Sequence, residues 1–123
     1  MNDVNEITEK IIGCAITIHK TLGPGLLESI YESAMCIELK EIDLIYECQK
    51  PLQVIYKNNK IGIFKLDLVV EGKIVVELKS TERMDPVYQA QILSYMKLGS
   101  YKYGLLINFN NSLLKTGIKR FVL

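Results

Sequence analysis

Residues 61–79, IGIFKLDLVVEGKIVVELK, hold the reading on which the fold turns. Apolar residues alternate as Phe64, Leu66, Leu68 and Val70, and again as Ile74, Val76 and Leu78, the period of two expected of half-buried strands. A turn at Glu71-Gly72-Lys73 joins them into a hairpin. All seven apolar side chains are expected on one face, and a three-residue connection that pairs Val70 with Ile74 puts them there. The same count sets Val69 against Val75, Asp67 against Glu77 and Lys65 against Lys79, with facing Cβ atoms about 4.5–5.5 Å apart.

Like charges set opposite each other destabilise a sheet unless something neutralises them. A hard cation would do so for Asp67 and Glu77. An exposed polar face, in which Lys65 and Lys79 screen the two carboxylates diagonally, would do so without one. The hairpin alone leaves both readings open.

Toward the N-terminus, Val4, Ile7, Ile11, Ile12, Ala15, Ile16, Ile18, His19 and Leu22 recur at spacings of three and four, predicting an amphipathic helix over about 3–21. Gly23-Pro24-Gly25 closes it. His19, the only histidine, lacks a second His or a Cys nearby and reads as a packed or hydrogen-bonded helix residue. A second helix is expected over about 26–41, with Leu27, Ile30, Ala34, Ile37 and Leu39 as its apolar contacts. Glu28 falls in its first turn, where a carboxylate suits the helix dipole, and shares a face with Tyr31, Glu32 and Met35.

Residues 44–49 and 52–57 read as two short strands separated at Lys50-Pro51, which with the hairpin makes a meander of about four strands. Beyond Lys79, Asp85-Pro86 starts a third helix that runs to about Leu98 and stops at Gly99. Val87, Ala90, Leu93 and Met96 are expected to face the sheet, with Tyr88, Gln91 and Tyr95 on another stripe. The apolar run Tyr103–Ile107 reads as an interior strand parallel to the one bearing Glu77, and residues 118–123 as an edge strand.

At 123 residues, 49% hydrophobic and 24% charged, the chain has the length and composition of one ordinary globular domain spanning 1–123. A net charge of +1 supplies no global basic field, so any nucleic-acid binding must rest on local patches or a partner. Cys14, Cys36 and Cys48 are odd in number and form no CxxC, which argues against a disulfide framework and a zinc site. No basic n-region followed by an apolar stretch opens the chain and nowhere do 18 apolar residues run together, so the expectation is a cytoplasmic protein away from membranes.

Helix, strand meander, helix, strand, with Asp67 followed ten positions later by Glu77-Leu78-Lys79, resembles the PD-(D/E)xK nuclease superfamily. Gly25-Leu26-Leu27-Glu28-Ser29-Ile30-Tyr31 is similar to the motif that names the GxxExxY branch of that superfamily. The resemblance implies an α/β (α+β) fold with a restriction-endonuclease-like core, a mixed central sheet flanked by helices. It also implies a Mg²⁺- or Mn²⁺-dependent hydrolase cutting phosphodiesters of DNA or RNA. Carried over by residue, it makes Asp67 and Glu77 metal ligands with the Leu78 carbonyl, and Lys79 the catalytic lysine. Glu28 becomes the helix-borne acid, Gln91 the auxiliary glutamine, and Lys65 and Tyr31 substrate contacts. Two other readings compete: a catalytically silent module of the same fold that binds nucleic acid or protein, and an interaction protein whose charged patch is only an ion-pair network. A homodimer or a protein partner is compatible with each.

Overall fold

The structure, a computed structural model, describes residues 3–123. Its first helix, α1 (Val4–Leu22), is capped by Asp3, whose side chain accepts the Glu6 N–H at 2.8 Å. Ile7, Ile11, Cys14, Ala15 and Ile18 form its buried stripe, and Gly23 ends it at a φ of 72° that suits glycine. Helix α2 (Glu28–Glu41) starts two residues later than the sequence predicts, because Leu27 is extended and serves as the N-cap. Its buried stripe is Tyr31, Met35 and Leu39; the expected contacts Leu27, Ile30 and Ile37 are exposed instead.

Five strands form one mixed sheet in the order β1 (Tyr46–Tyr56), β2 (Asn59–Val70), β3 (Ile74–Lys79), β4 (Tyr103–Asn108), β5 (Ile118–Val122). The first three make an antiparallel meander. β3 and β4 pair in parallel, as expected of strands joined through helix α3 (Pro86–Gly99), and β4 pairs antiparallel with the edge strand β5. Asp85 caps α3 by accepting the Val87 N–H, and Pro86 stands where no helical N–H is needed. The two short strands expected around Pro51 are one continuous strand. Pro51 pairs with Lys65, and it is tolerated because β1 is an edge strand with no neighbour on its outer side.

The hairpin register is the expected one, with Val70 opposite Ile74, Val69 opposite Val75 and Leu68 opposite Val76. The single apolar face is not. Leu68, Val70, Ile74, Val76 and Leu78 pack into a core with α1 and α2, whereas Leu66 joins Val69, Val75, Leu106, Ile92 and Met96 in a second core under α3. Phe64 leans the same way, against Tyr95 of α3. The alternation of β2 therefore slips by one residue at Asp67, and helices cover both faces of the sheet. Across from the slip, Gln49 sits at a φ of 53°, a left-handed conformation that costs a non-glycine residue about 1–3 kcal/mol. Full burial of Leu66 and Val69 returns roughly 1.5–3 kcal/mol each, so packing outweighs the local strain.

Candidate active site

Below the pair Leu68 and Val76, β2 and β3 stop pairing through their backbones. The Asp67 N–H donates to Glu77 Oε2 at 2.9 Å, and the Leu78 N–H donates to Asp67 Oδ2 at 2.8 Å. Each carboxylate thus takes over a backbone donor that the ladder would have satisfied. The two acids are brought together as the sequence predicts, but they plug a splay in the sheet and do not face each other as a ladder pair. The expected pairing of Lys65 with Lys79 is absent for the same reason: Lys65 is exposed opposite Pro51, on the β1 side.

Glu77 is only 6% exposed. Burial and then the charge of Asp67 push its carboxyl up to about 8, with Glu28 adding to the rise; the Asp67 N–H and Lys79 pull the other way. Asp67, half-buried, is also held above its ordinary range, first by desolvation, with the nearby Glu32 adding and the Leu78 N–H opposing. Two carboxylates crowded into a dehydrated corner repel each other when both are ionised, a repulsion that a cation between them would relieve.

Lys79 is half-buried, with Nζ 4.5 Å from the centre of the Tyr88 ring on α3. Among the described residues the ion pairs are Lys50 with Glu47 and Arg120 with Glu9, so Lys79 contacts no carboxylate. The diagonal network of Lys65, Lys79, Asp67 and Glu77 that would make the patch self-neutralising is therefore not formed. The ammonium stands beside the acids, close enough to lower the pKa of both, without being consumed by them.

Glu28 is exposed at the start of α2 and lies near enough to Glu77 to raise its pKa. Its placement depends on Tyr31, which is fully buried and stacks on Phe109 at 4.3 Å between centroids, with planes 6° apart. The Tyr31 hydroxyl donates to the Gly23 carbonyl at 2.6 Å and accepts the Leu26 N–H at 3.1 Å. Ser80 Oγ, one residue beyond β3, holds the same loop by donating to the Leu26 carbonyl. Tyr31, expected as a substrate contact, is placed by the structure in the core, where its hydroxyl fixes the loop that delivers Glu28. Tyr31→Phe leaves the Gly23 carbonyl and the Leu26 N–H without their buried partner and should cost about 1–3 kcal/mol, read as a lower denaturant midpoint.

On α3, Ile92 and Met96 are fully buried, with Tyr88, Leu93 and Tyr95 packed beside them; Val87 and Ala90, expected against the sheet, are exposed. The helix is apolar on more than one stripe, and the tyrosines win the contact because their rings reach the sheet. Burial raises the Tyr95 hydroxyl, and the charges of Glu77 and Asp67 raise it further, which places it near the acids. Gln91, exposed between Tyr88 and Tyr95 on the same stripe, makes no hydrogen bond to the site among the described residues. His19 is bonded as expected, its Nε2 donating to the Asn111 carbonyl at 2.8 Å.

Glu32 and Gln49 escape the sequence reading. Glu32 is one turn beyond Glu28 on α2, a spacing that could have raised it as a candidate. Gln49 carries no signal, because its reach depends on its backbone conformation. Gln49 Nε2 donates to both oxygens of Glu32 at 3.0 Å and to Asp67 Oδ1 at 3.3 Å, and the Cys48 thiol donates to Glu32 Oε1.

Among the described residues no three His, Cys, Asp or Glu side chains converge as a complete metal cluster. The residues at the splay nevertheless fit a hard divalent cation that keeps part of its water. Asp67 and Glu77 are both oxygen donors, and Glu77 Oε1 takes no protein donor among the described residues.

The sequence model of the PD-(D/E)XK nuclease superfamily matches residues 5–121. Neither the curated proteins nor the solved structures offer a match. The mixed five-stranded sheet with its three helices is consistent with a restriction-endonuclease-like core. No helix among the described residues is long and apolar enough to cross a membrane.

Proposed function

The chain belongs to the PD-(D/E)XK nuclease superfamily, and we propose that within it the protein is a divalent-metal-dependent phosphodiester hydrolase of the GxxExxY branch, acting on DNA or RNA as one domain. The observation that carries this reading is the splay between β2 and β3, where two carboxylates of raised pKa stand beside an ammonium that neither of them binds.

Asp67 and Glu77 would hold Mg²⁺ or Mn²⁺, with the Leu78 carbonyl as a third oxygen and water filling the rest. The cation, when bound, would withdraw charge from a phosphate oxygen and acidify water at the site. Lys79, its tip over the Tyr88 ring and free of any ion pair among the described residues, offsets negative charge that grows on the phosphate in the transition state. Glu28 approaches from α2 to orient water, and Gln91 reaches from α3 to a water or phosphate oxygen. Lys65, exposed on β2, supplies a positive contact to the backbone of the substrate.

Cleavage of single- and double-stranded DNA and RNA oligonucleotides with Mg²⁺ or Mn²⁺, set against Ca²⁺ and against chelator, tests the reading. Products should form with Mg²⁺ or Mn²⁺, vanish with chelator and be absent with Asp67→Ala. Equal traces from wild type and Asp67→Ala would mark a contaminant. Retention of an oligonucleotide without cleavage would instead favour the silent binding module.

A further inference from the structure

Gln49 lies on β1 between the pairs Cys48 with Leu68 and Lys50 with Leu66, across from Asp67, and is itself missing from the ladder. Its left-handed φ of 53° is one that a residue with a Cβ seldom adopts. Such a conformation persists where the surroundings over-determine it. Here the surroundings are two acids: Nε2 donates at 3.0 Å to both oxygens of Glu32 and at 3.3 Å to Asp67 Oδ1. Chemistry fixes which way the amide points, since ionised carboxylate oxygens only accept and the amide carbonyl would repel them. Glu32 Oε1 accepts from the Cys48 thiol as well. Asp67 is consequently gripped at both oxygens, Oδ2 by the Leu78 N–H and Oδ1 by Gln49.

A carboxylate held at two points keeps one rotamer, which is what a cation site needs from its ligand before the cation arrives. We propose that Gln49, anchored by Glu32, is a positioning residue that sets the Asp67 carboxylate for metal binding. This rests on the metal-dependent reading above and extends it to two residues that the superfamily pattern of Asp67, Glu77 and Lys79 does not include. The competing role is a plain structural tie between α2 and β1. The backbone separates the two roles: glycine is at ease at this φ, so Gln49→Gly relieves strain while deleting the donor.

The test is Mn²⁺ affinity by calorimetry together with thermal melting, on Gln49→Gly, Gln49→Met, Glu32→Gln, Asp67→Ala and wild type. Gln49→Gly should melt close to wild type and bind Mn²⁺ about tenfold or more weakly, the usual scale for a residue that orients a ligand. Gln49→Met, similar in length but without the donor, should show the same fall, and Glu32→Gln, which keeps an acceptor for Gln49, a smaller one. Lower melting in these variants with unchanged Mn²⁺ affinity of the folded protein would identify a structural tie and overturn the proposal. Wild-type melting and affinity in Gln49→Gly and Gln49→Met, alongside lost binding in Asp67→Ala, would overturn it while leaving the metal site standing. Absence of Mn²⁺ binding in wild type would overturn both.

Discussion

Lys79→Ala should lower turnover about 10²- to 10³-fold while leaving Mn²⁺ affinity nearly unchanged, the range found when one preorganised donor to transition-state charge is removed. The split follows from where the ammonium sits. As an ammonium it has no lone pair to offer a cation, and it forms no ion pair among the described residues, so deleting it leaves no acid without a bonded partner. Its tip rests over the Tyr88 ring at 4.5 Å, a contact worth about 0.5–1 kcal/mol that positions the charge without neutralising it. The variant should therefore fold with at most a small loss of stability. Calorimetry with Mn²⁺ and single-turnover cleavage separate binding from chemistry. Loss of Mn²⁺ binding in a folded Lys79→Ala would make the lysine a guardian of the metal site. Unchanged turnover would remove it from the chemistry altogether.

The hairpin register could be read from the chain because two things agreed: alternation on both sides of the turn, and a connection of three residues between Val70 and Ile74. Asp85-Pro86 was equally legible, since an Asp cap before a proline has one common use. The slip in β2 was hidden. It depends on a strained Gln49 in a different strand and on α3 covering the face that alternation had assigned to solvent. That hidden slip also decides the chemistry, because it replaces the expected ladder pair with two carboxylates bonded to backbone N–H groups. Tyr31 shows a different limit. Spacing sets it one turn from Glu28, but spacing does not say that Tyr31 turns inward, where its ring stacks on Phe109, while Glu28 stays exposed. Nor could spacing choose between the stripes of α3, each with apolar residues enough to serve.

Without metal, wild type should lose stability as pH rises from about 5 to 8, and Glu77→Gln should lose much less. Glu77 has an ordinary value of 4.5 and is pushed up to about 8 in the fold, by burial first and Asp67 second. Between those values the native state holds a proton that the unfolded chain has released. Native protein then binds more protons than unfolded, and stability falls as pH rises. The contribution is whole below the unfolded value and gone above the folded one. One proton sets an upper limit of about 1.4 kcal/mol per pH unit, roughly 5 °C in melting temperature for a chain of this size. Glutamine suits position 77 because its carbonyl can still accept the Asp67 N–H, and its amide enters a position where Glu77 Oε1 meets no protein donor. Asparagine at 67 is the poorer probe: Asp67 accepts at both oxygens, and an amide nitrogen there would confront Leu78 N–H or Gln49 Nε2. At pH 8 in chelator, Glu77→Gln should therefore melt above wild type. Mg²⁺ should reverse the order, since a cation bound only by the native state adds roughly 2.7 kcal/mol at a hundred times its dissociation constant, and the variant has lost a ligand. Melting curves at pH 5 and 8, with chelator and with Mg²⁺, contain the whole comparison. If Glu77→Gln melts below wild type at pH 8 in chelator and Mg²⁺ shifts neither protein, the two acids serve the sheet alone and hold no cation.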